Sequence, residues 1–314
     1  MQNTSVAEGE VRKMFDELEI LKKVLPVIPC GDDVPVGPGD DCAAIDLGNG
    51  TMLLAAVDQL IADVHYLGQE TPPEEAGLKL LKRNLSDIAA MGGVPRWALL
   101  TVAAGGREND WISRFMLAVA NGCRQYGVSL TGGDLAALAK GMEGDVSTLT
   151  ILGTVEPETI RLRSGAKAGD RIFVTGTLGN SFYSGHHLHF EPRLREGRFL
   201  AQGGFASAMM DISDGLLLDA GRMTESSGLT MVLDPAALPL RQGADIAGAL
   251  GDGEDYELLF AVPPEKVEKL HQMWEASFAP LHEIGVLQQG RPAILDPEGR
   301  ELTRIYQNGY IHGT

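Results

Sequence analysis

Apolar residues recur along this 314-residue chain in two rhythms, one helical and one strand-like. Residues 10–25 (EVRKMFDELEILKKVL) predict a short amphipathic helix. TMLLAAVDQL (51–60), an apolar run ended by a polar residue, predicts a buried strand. Residues 74–93 predict a helix, with Leu81, Leu85 and Ile88 on one apolar stripe and Asn84, Asp87 and Met91 on another face. Gly92 and Gly93 end it, and Pro95 prevents continuation. Residues 96–104 predict a strand, and 110–127 an amphipathic helix with Ile112, Phe115, Met116, Val119 and Cys123 on one side. Further strands are expected at 128–134, 147–155, 171–176, 231–234 and 256–262, and a helix from Ser213 to Gly228. A polar, turn-rich junction near residue 160 divides the chain into expected domains 1–158 and 159–314. Strands alternate with helices in both halves, so the expected class is α/β (mixed α+β).

The hydrophobic fraction of 44% and charged fraction of 22% are those of a globular protein, which excludes disordered and fibrous classes. The formal net charge is −17, and no basic stripe is present, so no nucleic-acid partner is expected. An acidic chain that binds an anion needs cations in between. Cys30, Cys42 and Cys123 form no CxxC pair, which argues against a disulfide framework or structural zinc and fits a reducing compartment. The polar N-terminus is not expected to be a signal peptide, and no run of 18 apolar residues occurs in the sequence. A cytoplasmic protein without membrane contact is the expectation.

Candidate chemistry lies in the aspartates. They stand beside glycine or small residues at the ends of apolar runs: Asp40 and Asp41, Asp58, Asp87, Asp134, Asp211 and Asp214, then Asp252, Glu254 and Asp255. One such residue alone is as well explained as a cap or turn residue. The series together points to partly buried carboxylates, too many for the nearby lysines and arginines. Magnesium suits such ligands and usually shares them with phosphates. Ser213 or Asp214 is expected to cap the helix that follows, and Gly132 and Gly133 allow close backbone approach to a ligand. No GxxxxGK[ST], HRD with DFG, or GxSxG signature occurs. His186, His187 and His189 are expected in a solvated loop, and Trp97, Trp111 and Trp274 in the core or an interface.

The ordered segments GDDCAAI, NLSDIAAMGGVP, YGVSLTGGD, LRSGAKAGDRIFVTGTLG, PRLREGRFL, MMDISDGLLLDAG and GEDYELLF resemble the thiamine-monophosphate kinase family. The resemblance runs from about residue 10 to 312 and implies a two-domain architecture like that of aminoimidazole ribonucleotide synthetase. It implies ATP-dependent phosphorylation of thiamine monophosphate to thiamine diphosphate by in-line transfer, with several Mg2+ ions, in a homodimer. By motif, Asp41, Asp58, Asp87, Asp134, Asp211 and Asp214 match the metal-binding, catalytic positions. Gly133, Asp134, Arg163, Ser213 and Met116 match nucleotide positions, and His65, Glu254 and Tyr310 match substrate positions. The chain departs from the family at Ala56 and Val57, where Ser or Thr is usual, and at Leu135 and Ala136 after GGD. Met116 replaces an aromatic residue, Asp252 is an addition, and Gly313 replaces a closing aromatic. These departures leave open another acceptor, or a nucleotide-binding homologue without catalysis.

Overall fold

The computed structural model describes residues 17–306, 309 and 310. Residues 10–16 of the first expected helix, and Gly313, lie outside them; the described part of that helix is α1, Glu17–Val24. The N-terminal sheet has five strands: β1 (Ala43–Asp46), β2 (Met52–Ile61), β3 (Val94–Gly105), β4 (Ser129–Ala137) and β5 (Gly144–Val155). Their spatial order is β1-β2-β5-β3-β4. Helices α2 (Pro73–Ala90) and α3 (Asn109–Gln125) belong to this half. Because β3 and β4 run parallel, α3 carries the chain across between them.

The C-terminal sheet has six strands: β6 (Arg171–Thr175), β7 (Ala208–Ile212), β8 (Thr230–Leu233), β9 (Glu257–Val262), β10 (Leu281–Gln288) and β11 (Ala293–Leu295). Their order is β11-β8-β10-β6-β9-β7. Its helices are α4 (His186–His189), α5 (Leu194–Gln202), α6 (Leu216–Ser227), α7 (Ile246–Gly251) and α8 (Pro264–Met273). Each sheet has its own apolar core, with Leu54, Leu85, Phe115 and Ile151 in the first and Ile172, Met210, Leu217 and Leu259 in the second.

Two expectations need correction, and one strand was not expected. The strand at 51–60 is not buried on both faces: Val57 is 62% exposed, as helices cover one face of the sheet and leave Val57, Trp97 and Leu99 bare. The α2 helix is not two-faced. Leu81, Leu85 and Ile88 are buried, and so are Lys79, Asn84 and Met91, because α5 and β7 of the second half pack on its other side. The unexpected strand is β7. AMMDI has no alternation, and the structure buries all five residues between β9 and α2. Its position matters, since it ends beside the acidic loop of the first half.

Candidate active site

Three expected acids meet where the halves adjoin. Asp41 precedes β1, Asp87 lies in the last turn of α2, and Asp211 is on β7. One carboxylate oxygen from each lies within 4.8 Å of the others. At that spacing two ionised carboxylates repel by about 3–4 kcal/mol at an effective dielectric near 20. Burial and then the neighbouring acids push the Asp87 and Asp211 carboxyls well above the usual range. Burial and Asp41 push adjacent Asp40 up to about 7. Ser86 Oγ donates to Asp211 at 2.6 Å, which ties α2 to β7. Asp41 Oδ2 is buried with no hydrogen-bond partner. An all-oxygen cluster with an orphaned carboxylate oxygen fits a hard divalent cation such as magnesium.

Arginines hold Asp41 and two acids outside the cluster. Arg163 Nη2 donates to Asp41 at 2.7 Å, Arg222 pairs with Asp214 at 2.7 Å, and Arg83 reaches Asp58 at 3.4 Å. The helix after β7 is capped differently from the expectation. Its N-cap is Gly215, and Asp219 reaches back to accept the backbone N–H groups of Ser213 and Asp214, each at 3.0 Å. Ser213 and Asp214 both line the cavity beyond, Asp214 with its carboxylate paired to Arg222.

That cavity, about 550 Å³, is lined by His65, Arg83, Ser213, Asp214, Glu254 and Tyr310, among others. Glu254 and Tyr256 hold positive φ angles of 68° and 50°, backbone strain of about 1–3 kcal/mol each. Glu254 N–H donates to Ser213 O at 2.7 Å, which fixes the strained turn against the turn that follows β7. Tyr310 is held by its own N–H on Asp214 O at 2.8 Å. The preceding Gly309 has φ 75°, and a Cβ there would lie 2.4 Å from Asp214 O, so only glycine lets the segment dock. His65 Nδ1 accepts from Ile61 N–H at 2.9 Å.

Behind Glu254 lies a group missed in the sequence. Lys79, 0% exposed on α2, lies 2.7 Å from Glu254 Oε1 and 2.8 Å from His187 Nδ1. Burial brings the Lys79 ammonium down to about 8. Burial works upward on Glu254, but His187 and Lys79 outweigh it and bring it down to about 2. At neutral pH the pair is therefore charged on both sides. His187 is not in a solvated loop; α4 buries it, stacked on the cavity residue Phe182 with ring centroids 4.4 Å apart. A histidine-rich polar stretch gave no sign of this, since the partner lies over a hundred residues away.

Other expected residues stand apart within one protomer. Asp134 is on exposed β4, opposite Thr101 of β3, and Thr101 faces Thr148 of β5, which faces Gln59. Three strand spacings, roughly 14 Å, thus separate Asp134 from the Asp58 strand. Gly133 answers first to packing, because a Cβ would lie 1.8 Å from Leu100 O. Met116 is partly buried on α3 against the first core. No described helix is long and apolar enough to cross a membrane.

Two sheet-and-helix halves meeting at an acidic cluster define the class. The AIR synthase related protein models match here, the N-terminal domain over residues 39–155 and the C-terminal domain over 167–295. Thiamine-monophosphate kinase of Haemophilus influenzae is 31% identical, covering 94% of this chain and 97% of its own. That of Bacillus subtilis is 30% identical over 95% and 99%. The structure of AaThiL complexed with AMPPCP and TMP aligns with TM-score 0.77 at 28% identity, covering 94% of this chain and 95% of that one. The chain belongs to the thiamine-monophosphate kinase family of AIR synthase related proteins.

Proposed function

We propose that this chain transfers the γ-phosphoryl group of ATP to thiamine monophosphate, giving thiamine diphosphate. The observation that carries the reading is the Asp41–Asp87–Asp211 cluster beside a cavity that begins at Ser213 and Asp214. The relatives' names and the AMPPCP and TMP ligands of AaThiL support the choice of co-substrates. A phosphate monoester has a second pKa of about 6, so the acceptor oxygen is largely anionic at neutral pH. The reaction then needs little from a general base. It needs in-line placement and relief of repulsion between anions. Bound magnesium would supply that relief. Asp41, Asp87 and Asp211, with Asp58 and Asp214, are the residues to hold it. Ser213 and Arg163 face the nucleotide, and His65, Glu254 and Tyr310 face the thiamine end.

Asp134 enters this reading through a homodimer. The bare sheet face carries Val57, Trp97 and Leu99, and β4 leaves Leu130 and Leu135 exposed at the sheet edge. A second copy packed there would cover this apolar surface and bring its own Asp134 towards the first copy's site. Incubation of the purified protein with ATP, magnesium and thiamine monophosphate, followed chromatographically, should yield thiamine diphosphate. Absence of that product from folded protein with excess metal overturns the proposal.

A further inference from the structure

Arg83 holds a place in the site that the aspartate series does not explain. It lies on α2 four residues before Asp87, its side chain is 12% exposed, and it lines the cavity. Nη1 donates to Gln59 O at 2.8 Å, and Nη2 reaches Asp58 only at 3.4 Å. Nε is buried without a partner. Two of five N–H groups are thus engaged, one of them weakly.

Arginines with a structural task look different here. Arg241 donates to Gly179 O at 2.8 Å, Ser181 Oγ at 2.7 Å, Asp255 at 2.6 Å and also Thr177 O. Arg107 donates to Asp145 at 2.8 Å, Gly68 O at 2.7 Å and Tyr66 Oη at 3.3 Å. Burial works against the charge of Arg83, while Asp58, Tyr256, Glu254 and Asp87 outweigh it. A desolvated guanidinium with one long ion pair is a poor way to gain stability. It is well suited to a multi-oxygen anion arriving in the cavity, which its planar fork can bind bidentately.

We propose that Arg83 binds the phosphate monoester of the acceptor, while Glu254, held by Lys79 and His187, faces the acceptor's ring-bearing end. This rests on the acceptor assigned under Proposed function. The two charges give the cavity a polarity: a fixed cation next to the carboxylate strand β2, and a fixed anion on the turn before β9. A ligand with a terminal phosphate and a cationic ring matches both.

The test uses calorimetric titration, with magnesium and without ATP, of wild type, Arg83→Met and Arg83→Lys. Thiamine monophosphate and thiamine are the two probes. Wild type should prefer the monophosphate. Arg83→Met should weaken monophosphate binding about ten- to a hundredfold and leave thiamine binding unchanged. Arg83→Lys, which keeps the charge and loses the fork, should fall between, and it carries the test if Arg83→Met does not fold. Equal weakening of both probes, or an undiminished preference for the monophosphate, overturns the assignment. If wild type still forms thiamine diphosphate in that case, only the role of Arg83 falls. If wild type neither binds nor turns over the monophosphate, the acceptor reading falls and Arg83's role with it.

Discussion

At the residue scale, charge is balanced by burial and proximity together. Lys79 and Glu254 form a buried pair whose loss should be expensive. Lys79→Met should cost about 3–5 kcal/mol in urea unfolding, because Glu254 would be left uncompensated. The double variant Lys79→Met/Glu254→Gln should recover part of that loss, and simple additivity of the two would refute the coupling. The acidic cluster predicts a pH dependence. Asp40 sits at about 7 and Asp87 and Asp211 are raised, so the folded chain binds more protons than the unfolded one. Metal-free protein should therefore lose stability as pH rises from about 4 to about 7, and magnesium should flatten that slope. Melting temperatures across this range, with and without the ion, measure it. Asp41, Asp87 and Asp211 were legible because each stands beside glycine or small residues next to an apolar run. Lys79, Arg83 and His187 were not. A lysine or arginine in a helix and a histidine in a polar stretch look solvent-facing until a second domain covers them.

At the element scale, the helix α2 and the strand β4 behave in opposite ways. The period of α2 identified the helix, yet one chain-wide pattern cannot say that both faces are covered. Its polar side is closed by α5 and β7, elements the sequence reading did not contain. The β4 strand was recognised, but its sequence gave no hint that all nine residues would be exposed in a single protomer. Exposed sheet edges with apolar residues invite pairing with another chain. Leu99→Asp should convert the proposed dimer into monomer in sedimentation and reduce turnover more than melting temperature. A monomeric wild type, or a still-dimeric variant, would refute this. The docked segment at 309–310 gives a local test. Gly309→Val should release Tyr310 from Asp214 O and raise KM for thiamine monophosphate, with kcat for a saturated site changing less.

At the scale of the whole molecule, the two halves share a candidate site that neither completes alone. Asp41 and Asp87 come from the first, Asp211, Asp214 and Glu254 from the second. Ligands that span them should stabilise the chain as one unit. Thermal shift with thiamine monophosphate, magnesium and an ATP analogue together should exceed the shift from any one alone. The mixed α/β class and the places of seven of the eleven described strands could be read from apolar periodicity, but not their order in the sheets. The meeting of the halves could not, since it depends on pairs such as Ser86 with Asp211 and Arg163 with Asp41.

The three arginines on Asp41, Asp58 and Asp214 bear on how the protein comes into being. Many metal-dependent sites cannot assemble before their ion arrives, and such chains stay unfolded without it. Here Arg163 and Arg222 already pair with Asp41 and Asp214 at 2.7 Å, Arg83 reaches Asp58 more loosely, and protons can occupy the rest. Folding is therefore expected not to wait for the ion. Chelator-treated protein should keep its far-UV circular dichroism and a cooperative melt while losing turnover, and magnesium added later should restore activity without a refolding step.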